Sequence, residues 1–348
     1  MRIYSRITIL LSLIALLFLA ACGSDQTSED SNQSSKSTND SEESTDKLQL
    51  FTTLYPLAYF AEQIGGEHVH VESILPLGAD AHTYEPTSKT MVDIAAADAF
   101  IYSGPNMESY GESIEEAIQD EEVKVLKAAN NITLLDHSHD HSEEAHSHEH
   151  EGEDHTHSEE TEGEEGHEHS HSHGDKDPHV WLDPIRSIDL AENIKNMLVE
   201  LKPSAEDEFE ANFSELQTRL EDLDKTFHEQ LENAARSEIL VTHAAYGYWE
   251  EAYGIEQIAI SGLSPSNEPS QKKLEEIIEI VGDHNIHYLL FEQNVEPKIA
   301  NIIQKETNVD SLNIHNLSVL TEEDVENDED YFTLMQRNLD TLLTALAE

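Results

Sequence analysis

The sequence predicts an α/β protein of two (β/α) lobes with mainly parallel sheets, joined by a long connecting helix. Short apolar runs alternate with helical patterns twice along the chain, before residue 137 and again after residue 237. Between the two stretches Phe209, Phe213, Leu216, Leu220, Leu223, Phe227 and Leu231 recur at spacings of 4, 3, 4, 3, 4 and 4, one face of an amphipathic helix. A length of 348 residues suits about two domains, and 37% hydrophobic residues let each bury a core.

The elements follow in order. Arg2 and Arg6 precede a nearly unbroken apolar run at 7–21, too short for a comfortable membrane span but suited to a secretory signal. The run ends Leu19-Ala20-Ala21-Cys22-Gly23, with small residues before the only Cys. Residues 23–46 carry no large apolar side chain and are expected to be a disordered tether. From Lys47 the pattern reads as strand 48–53, helix 56–64, strand 69–75, helix 87–97 and strands 99–103 and 123–127. Pro203 and Ser204 mark the start of the long helix. The second half reads as strand 238–242, helix 245–253, strand 257–261, helix 269–281, strand 287–291, helix 297–305, strand 311–314 and helix 330–347. The expected organisation is a signal peptide at 1–21, a tether at 22–46 and an N-terminal lobe at 47–186, interrupted by a loop at 137–175. A connecting helical region at 187–236 and a C-terminal lobe at 237–348 complete it. A coiled-coil dimer seam is the alternative for the stripe, but it runs for fewer than four heptads, so a helix packed on both lobes of a monomer is expected.

Charge excludes several partners. The net charge of −54 leaves no basic surface for nucleic acid or for anionic lipid. A single Cys excludes an internal disulfide framework and a Cys-based zinc finger. Of the 73 acidic residues, seven fall in the tether and 13 in the loop, so the remaining 53 make the lobes themselves acidic. A salty or alkaline habitat, where salt screens self-repulsion, is a plausible cause.

The loop is the strongest compositional signal. Between His137 and His173, 12 of 37 residues are His and 13 are Asp or Glu, with Ala145 the one apolar residue. No core can form there, and imidazole suits zinc, copper, iron and nickel, so a disordered metal-capturing insertion is expected.

Nine histidines lie elsewhere. His228 falls on the exposed side of the long helix, His284 and His287 flank a strand start, and His68 and His70 alternate around another. Three others sit where α/β proteins place ligands, on loops beyond the carboxyl ends of strands. His82 lies in Pro76-Leu77-Gly78-Ala79-Asp80-Ala81-His82-Thr83-Tyr84-Glu85-Pro86, and His243 in Thr242-His243-Ala244-Ala245-Tyr246-Gly247. His179 lies in Asp177-Pro178-His179-Val180-Trp181-Leu182-Asp183-Pro184, where order resumes after the loop. Two come from the first lobe and one from the second, so they could converge in the cleft between lobes.

These motifs together, with the signal, the tether and the His-rich loop, resemble a zinc-binding substrate-binding lipoprotein of a metal ABC transporter. The resemblance covers essentially the whole mature chain. It implies one rigid connecting helix, a metal held between the lobes, and His82, His179 and His243 as its ligands. It also implies cleavage before Cys22, lipid attachment at its thiol, and a body held on the outer face of the cell membrane beside an ABC permease. Many relatives supply a fourth, carboxylate ligand from a late loop of the second lobe. The matching stretch here, Ile314-His315-Asn316-Leu317-Ser318-Val319-Leu320, has none. The fourth position is open to water, to Glu292 or to a residue of the loop.

The function expected is therefore capture of extracellular Zn²⁺ as cargo. Three imidazoles suit a tetrahedral zinc site, whereas manganese favours oxygen donors; nickel, copper and manganese remain alternative cargoes. A surface adhesin or passive metal buffer acting through the loop is the alternative function. An enzyme is not expected, since the two lobes carry neither HExxH nor G-x-S-x-G.

Overall fold

A computed structural model describes residues 47–104, 107–136, 176–266, 269–293 and 298–347. The signal, the tether, Cys22 and the His-rich loop at 137–175 lie outside the described residues.

The first lobe contains β1 (Leu48–Thr52), α1 (Tyr55–Gly65), β2 (Val69–Ser73), α2 (Ser88–Ala95), β3 (Ala99–Tyr102), α3 (Ser109–Ala117) and β4 (Lys124–Lys127). Its strands are all parallel, in the order β2-β1-β3-β4, with Leu50 paired to Val71 on one side and Ala99 on the other. Parallel neighbours need crossovers, which the helices supply. Every residue of β3 is buried, as expected of a strand covered on both faces. Helix α3 is not signalled by the sequence, because Gly111 interrupts its pattern. The reason is steric: a Cβ on Gly111 would stand 2.6 Å from the Tyr102 ring.

The expected long connecting helix is present, and a second helix precedes it. Helix α4 (Pro184–Leu201) opens three residues before the expected boundary at 187, because Asp183 caps it. The Asp183 carboxylate accepts hydrogen bonds from the backbone N–H groups of Ile185 and Arg186, and Pro184 takes the first turn. After the turn Pro203–Ala205, α5 (Glu206–Leu231) carries the sequence-predicted stripe. Phe209, Leu216, Leu220, Leu223, Phe227 and Leu231 are all buried on it. Helix α5 is fastened to both lobes. Asn212 donates to the Ile64 carbonyl at 2.9 Å, and the Tyr253 hydroxyl donates to Asp224 at 3.1 Å.

The second lobe repeats the first, with β5 (Glu238–His243), α6 (Gly247–Tyr253), β6 (Glu256–Ser261), α7 (Gln271–Asp283), β7 (Tyr288–Glu292), α8 (Lys298–Thr307) and β8 (Asp310–Ile314). Its parallel order, β6-β5-β7-β8, is the same as that of the first sheet. Each order reverses between the first and third strands, and that crevice is where α/β sheets seat ligands. A short helix, α9 (Glu322–Glu326), and the C-terminal α10 (Tyr331–Ala345) follow. Helix α10 returns to the first lobe, stacking Tyr331 on Tyr59 with ring centroids 6.1 Å apart. One apolar cluster thus includes Leu50 and Phe60 of the first lobe, Phe227 of the connection, and Val241 and Trp249 of the second.

Phe227 is fully buried, with ring centroids 5.2 Å from Tyr253 and 5.9 Å from Trp249. Phe227→Ala is expected to cost about 3–5 kcal/mol by removing buried surface and leaving a cavity. Equilibrium urea unfolding reads this directly.

Candidate metal centre

His179 occupies the segment leading into α4, and its surroundings hold it still. The Trp181 indole donates to the Asn316 carbonyl at 2.8 Å, and the Trp249 indole to the Leu182 carbonyl at 2.7 Å. The Tyr331 and Ser187 hydroxyls donate to the Trp181 carbonyl at 2.7 and 3.0 Å. Asp177, two residues before His179, turns back on it. Its Oδ1 accepts from the His179 backbone N–H at 2.9 Å and lies 2.8 Å from His179 Nδ1.

His243 is the last residue of β5, at the switch point beside β7. Glu292 ends β7, and its Oε1 lies 2.6 Å from His243 Nδ1. Thr242 donates to the same oxygen at 2.9 Å, and Asn316 donates to Oε2 at 2.8 Å. Burial raises the pKa of this fully enclosed carboxyl. The neighbouring His243, with hydrogen bonds from His243, Asn316 and Thr242, outweighs it and holds the group below the ordinary carboxylate value. Glu292 thus stands behind His243 with both oxygens engaged, and it is not among the side chains whose candidate ligand atoms gather within 4.8 Å of one another.

His82 comes from the loop after β2. Asp80 shapes that loop, accepting from the His82 backbone N–H at 3.0 Å and the Thr83 hydroxyl at 2.9 Å. Gly78, at φ +69°, takes a conformation that L side chains disfavour and donates to the Leu320 carbonyl of the second lobe at 2.8 Å. Burial pushes the His82 imidazole down to about 2, helped by His179 and His243.

The three rings meet. Each offers a nitrogen, and the three atoms lie within 4.8 Å of one another. Ring centroids are 5.3 Å apart for His179–His243, 5.5 Å for His82–His179 and 6.0 Å for His82–His243. His179 and His243 are each 1% exposed, and in both Nε2 is buried without a hydrogen-bond partner. A buried polar atom left unpaired is costly and calls for a partner. Because Nδ1 faces a carboxylate, it carries the proton, and Nε2 presents a lone pair. This is the carboxylate–histidine arrangement that orients metal ligands.

Five other histidines among the described residues are used elsewhere. His68 pairs with Glu208, His284 with Glu238, and His287 with Asn285. His315 is buried with both ring nitrogens engaged, by Asp324 and by the Leu317 backbone. His228 packs its ring edge-on to Tyr253. Asp177 and Asn316 are site residues that the sequence does not single out, since their roles depend on a local turn and on strand pairing.

Residues 50–345 match the family model described as zinc-uptake complex component A periplasmic, ZnuA. The chain belongs to this family. A ZnuA relative, the high-affinity zinc uptake system protein of Bacillus subtilis, is 32% identical over 330 residues, covering 95% of this chain and 94% of that protein. The zinc-binding lipoprotein AdcA of Streptococcus pneumoniae is 36% identical over 337 residues and 97% of this chain. The chain spans 60% of that longer relative. The Zn(II)-bound ZnuA-like domain of S. pneumoniae AdcA has the same fold, with a TM-score of 0.68 at 33% identity, over 87% of this chain and 100% of that domain.

Gly247 supplies a local test of this imidazole cluster. A Cβ there would stand 2.6 Å from Asp177 Oδ2, and Asp177 cannot move without releasing His179. Gly247→Ala is expected to keep the fold by circular dichroism yet lower affinity for a divalent transition metal by about tenfold or more. Competition with a chromophoric chelator measures it, and unchanged affinity would refute the positioning role.

Proposed function

We propose that the protein is an extracytoplasmic receptor that captures Zn²⁺ as cargo and hands it to a membrane ABC permease. The observation that carries this reading is the pair of buried, unpartnered Nε2 atoms of His179 and His243 beside the His82 ring. Three neutral imidazoles with one position open fit tetrahedral zinc at about 2.0–2.1 Å per nitrogen. Nitrogen donors without a carboxylate disfavour manganese. The names of the relatives, zinc-binding and zinc uptake, support the same cargo. Water or a residue of the His-rich loop completes the coordination.

A hydrolase would need a free general base beside the metal. The two carboxylates nearest the imidazoles, Asp177 and Glu292, are both spent on orienting them. A passive buffer acting through residues 137–175 needs no convergent site in the lobes, so the buried cluster favours the receptor. On this reading Cys22 carries lipid, residues 23–46 tether the monomeric body to the membrane, and the loop raises capture at low supply.

The decisive experiment uses protein lacking residues 137–175, whose neck is closed by the Asp136–Lys176 bridge. One tightly held zinc should remain, and His179→Ala or His243→Ala should lower its affinity by more than about 100-fold, beyond the usual cost of losing an outer partner. His228→Ala and His284→Ala should do little. The intact protein should hold further, weaker ions on the loop. Retention of one zinc at unchanged affinity in His179→Ala would overturn the assignment.

Anchoring is tested separately. Cys22→Ser should abolish partitioning of the protein into detergent while leaving zinc binding by the body intact. Unchanged partitioning would refute lipid attachment.

A further inference from the structure

The carboxylates behind the imidazoles have an electrostatic consequence that rests on the receptor reading. The Asp177 and Glu292 side chains are 4% and 0% exposed. Neither forms an ion pair with Lys or Arg among the described residues; each faces an imidazole instead, Asp177 that of His179 and Glu292 that of His243. Their remaining contacts are neutral: the His179 backbone N–H for Asp177, and the Thr242 hydroxyl and Asn316 amide for Glu292. Two anions are therefore buried behind imidazoles that must be neutral to bind metal. Burying a charge without a counter-charge is expensive, and in a dry site the cost is not screened away.

We propose that Asp177 and Glu292 are specificity-determining residues that select a dication over a monocation by charge balance. A divalent ion at the three nitrogens brings the buried cluster to neutrality. A monovalent ion leaves one negative charge uncompensated. Cu⁺ is the relevant competitor, because a cluster of imidazoles is otherwise an acceptable site for it. The ligand nitrogens set how many ions fit and in what geometry; the carboxylates behind them set the charge. His82 has no carboxylate on its ring among the described hydrogen bonds, so the balancing charge comes from the other two ligands.

The test compares Zn²⁺ and Cu⁺ affinities of loop-deleted wild type, Glu292→Gln and Asp177→Asn, by chelator competition without oxygen. Each amide keeps an oxygen to accept from Nδ1–H, so orientation is largely preserved while the charge is lost. Zn²⁺ affinity should fall about 10- to 100-fold in each variant. Cu⁺ affinity should change much less, so the Zn²⁺/Cu⁺ ratio falls with the zinc affinity. A parallel loss for both ions would show that the carboxylates only hold the rings, and would overturn the proposal; so would no loss for either. Melting temperatures of the metal-free proteins identify a variant that fails to fold, and the other variant then decides. Wild type that binds no zinc would overturn the receptor reading itself. Wild type that binds zinc beside variants with an unchanged ratio overturns only the charge-balance proposal.

Discussion

The hydrogen bond from an imidazole Nδ1–H to a buried carboxylate, made at both His179 and His243, is the interaction on which the site depends. It fixes the ring plane, the tautomer and the nitrogen left with a lone pair. Without it either ring could turn and satisfy itself. With it, each Nε2 is held inside the protein without a hydrogen-bond partner, an arrangement that costs free energy. Much of the nearby architecture maintains that condition. Trp181, Trp249, Tyr331 and Ser187 fix the segment carrying His179, while Thr242 and Asn316 hold Glu292 against His243.

The lobes are less independent than their repeated topology suggests. One apolar cluster runs from Leu50 through Phe227 to Val241, and α10 crosses back so that Tyr331 packs against Tyr59 and Phe60. Rotating one lobe against the other would expose part of this core, at roughly 25 cal/mol for each Å² of apolar surface. Smaller motions are less costly. The loop carrying His82 is the most exposed of the three histidine-bearing segments, and Gly78 ties its backbone to the second lobe by donating to the Leu320 carbonyl.

Much of this was legible in the sequence, and the remainder has identifiable physical causes. The stripe on α5 shows because a helix buried on one face must repeat near 3.6 residues. His82 and His243 show because strand ends are readable, and His179 because order resumes beside it. The role of Glu292 does not show. An acid at a strand end reads as a ligand; only the pairing of β5 with β7, Leu240 to Leu289 and Val241 to Leu290, places it behind His243. Sequence order says nothing of that pairing, since β6 intervenes. Helix α3 was hidden by Gly111, whose missing Cβ makes room for Tyr102. Helix α4 was readable in principle from Asp183-Pro184, a cap followed by a first-turn proline.

The neck below His179 has a consequence for how this chain can change. Asp136 and Lys176 bridge, the Asp177 N–H donates to the Leu135 carbonyl, and the Tyr248 hydroxyl donates to the Asp177 carbonyl at 2.7 Å while accepting from the Leu135 N–H. Both ends of the insertion are thereby sealed by contacts that do not involve it. Across a fixed neck the length of a connection matters little, since doubling a flexible loop costs only about 0.6 kcal/mol. The neck acts as a socket: evolution can exchange the inserted segment for a longer, shorter or differently ligating one while the geometry at His179 is inherited intact.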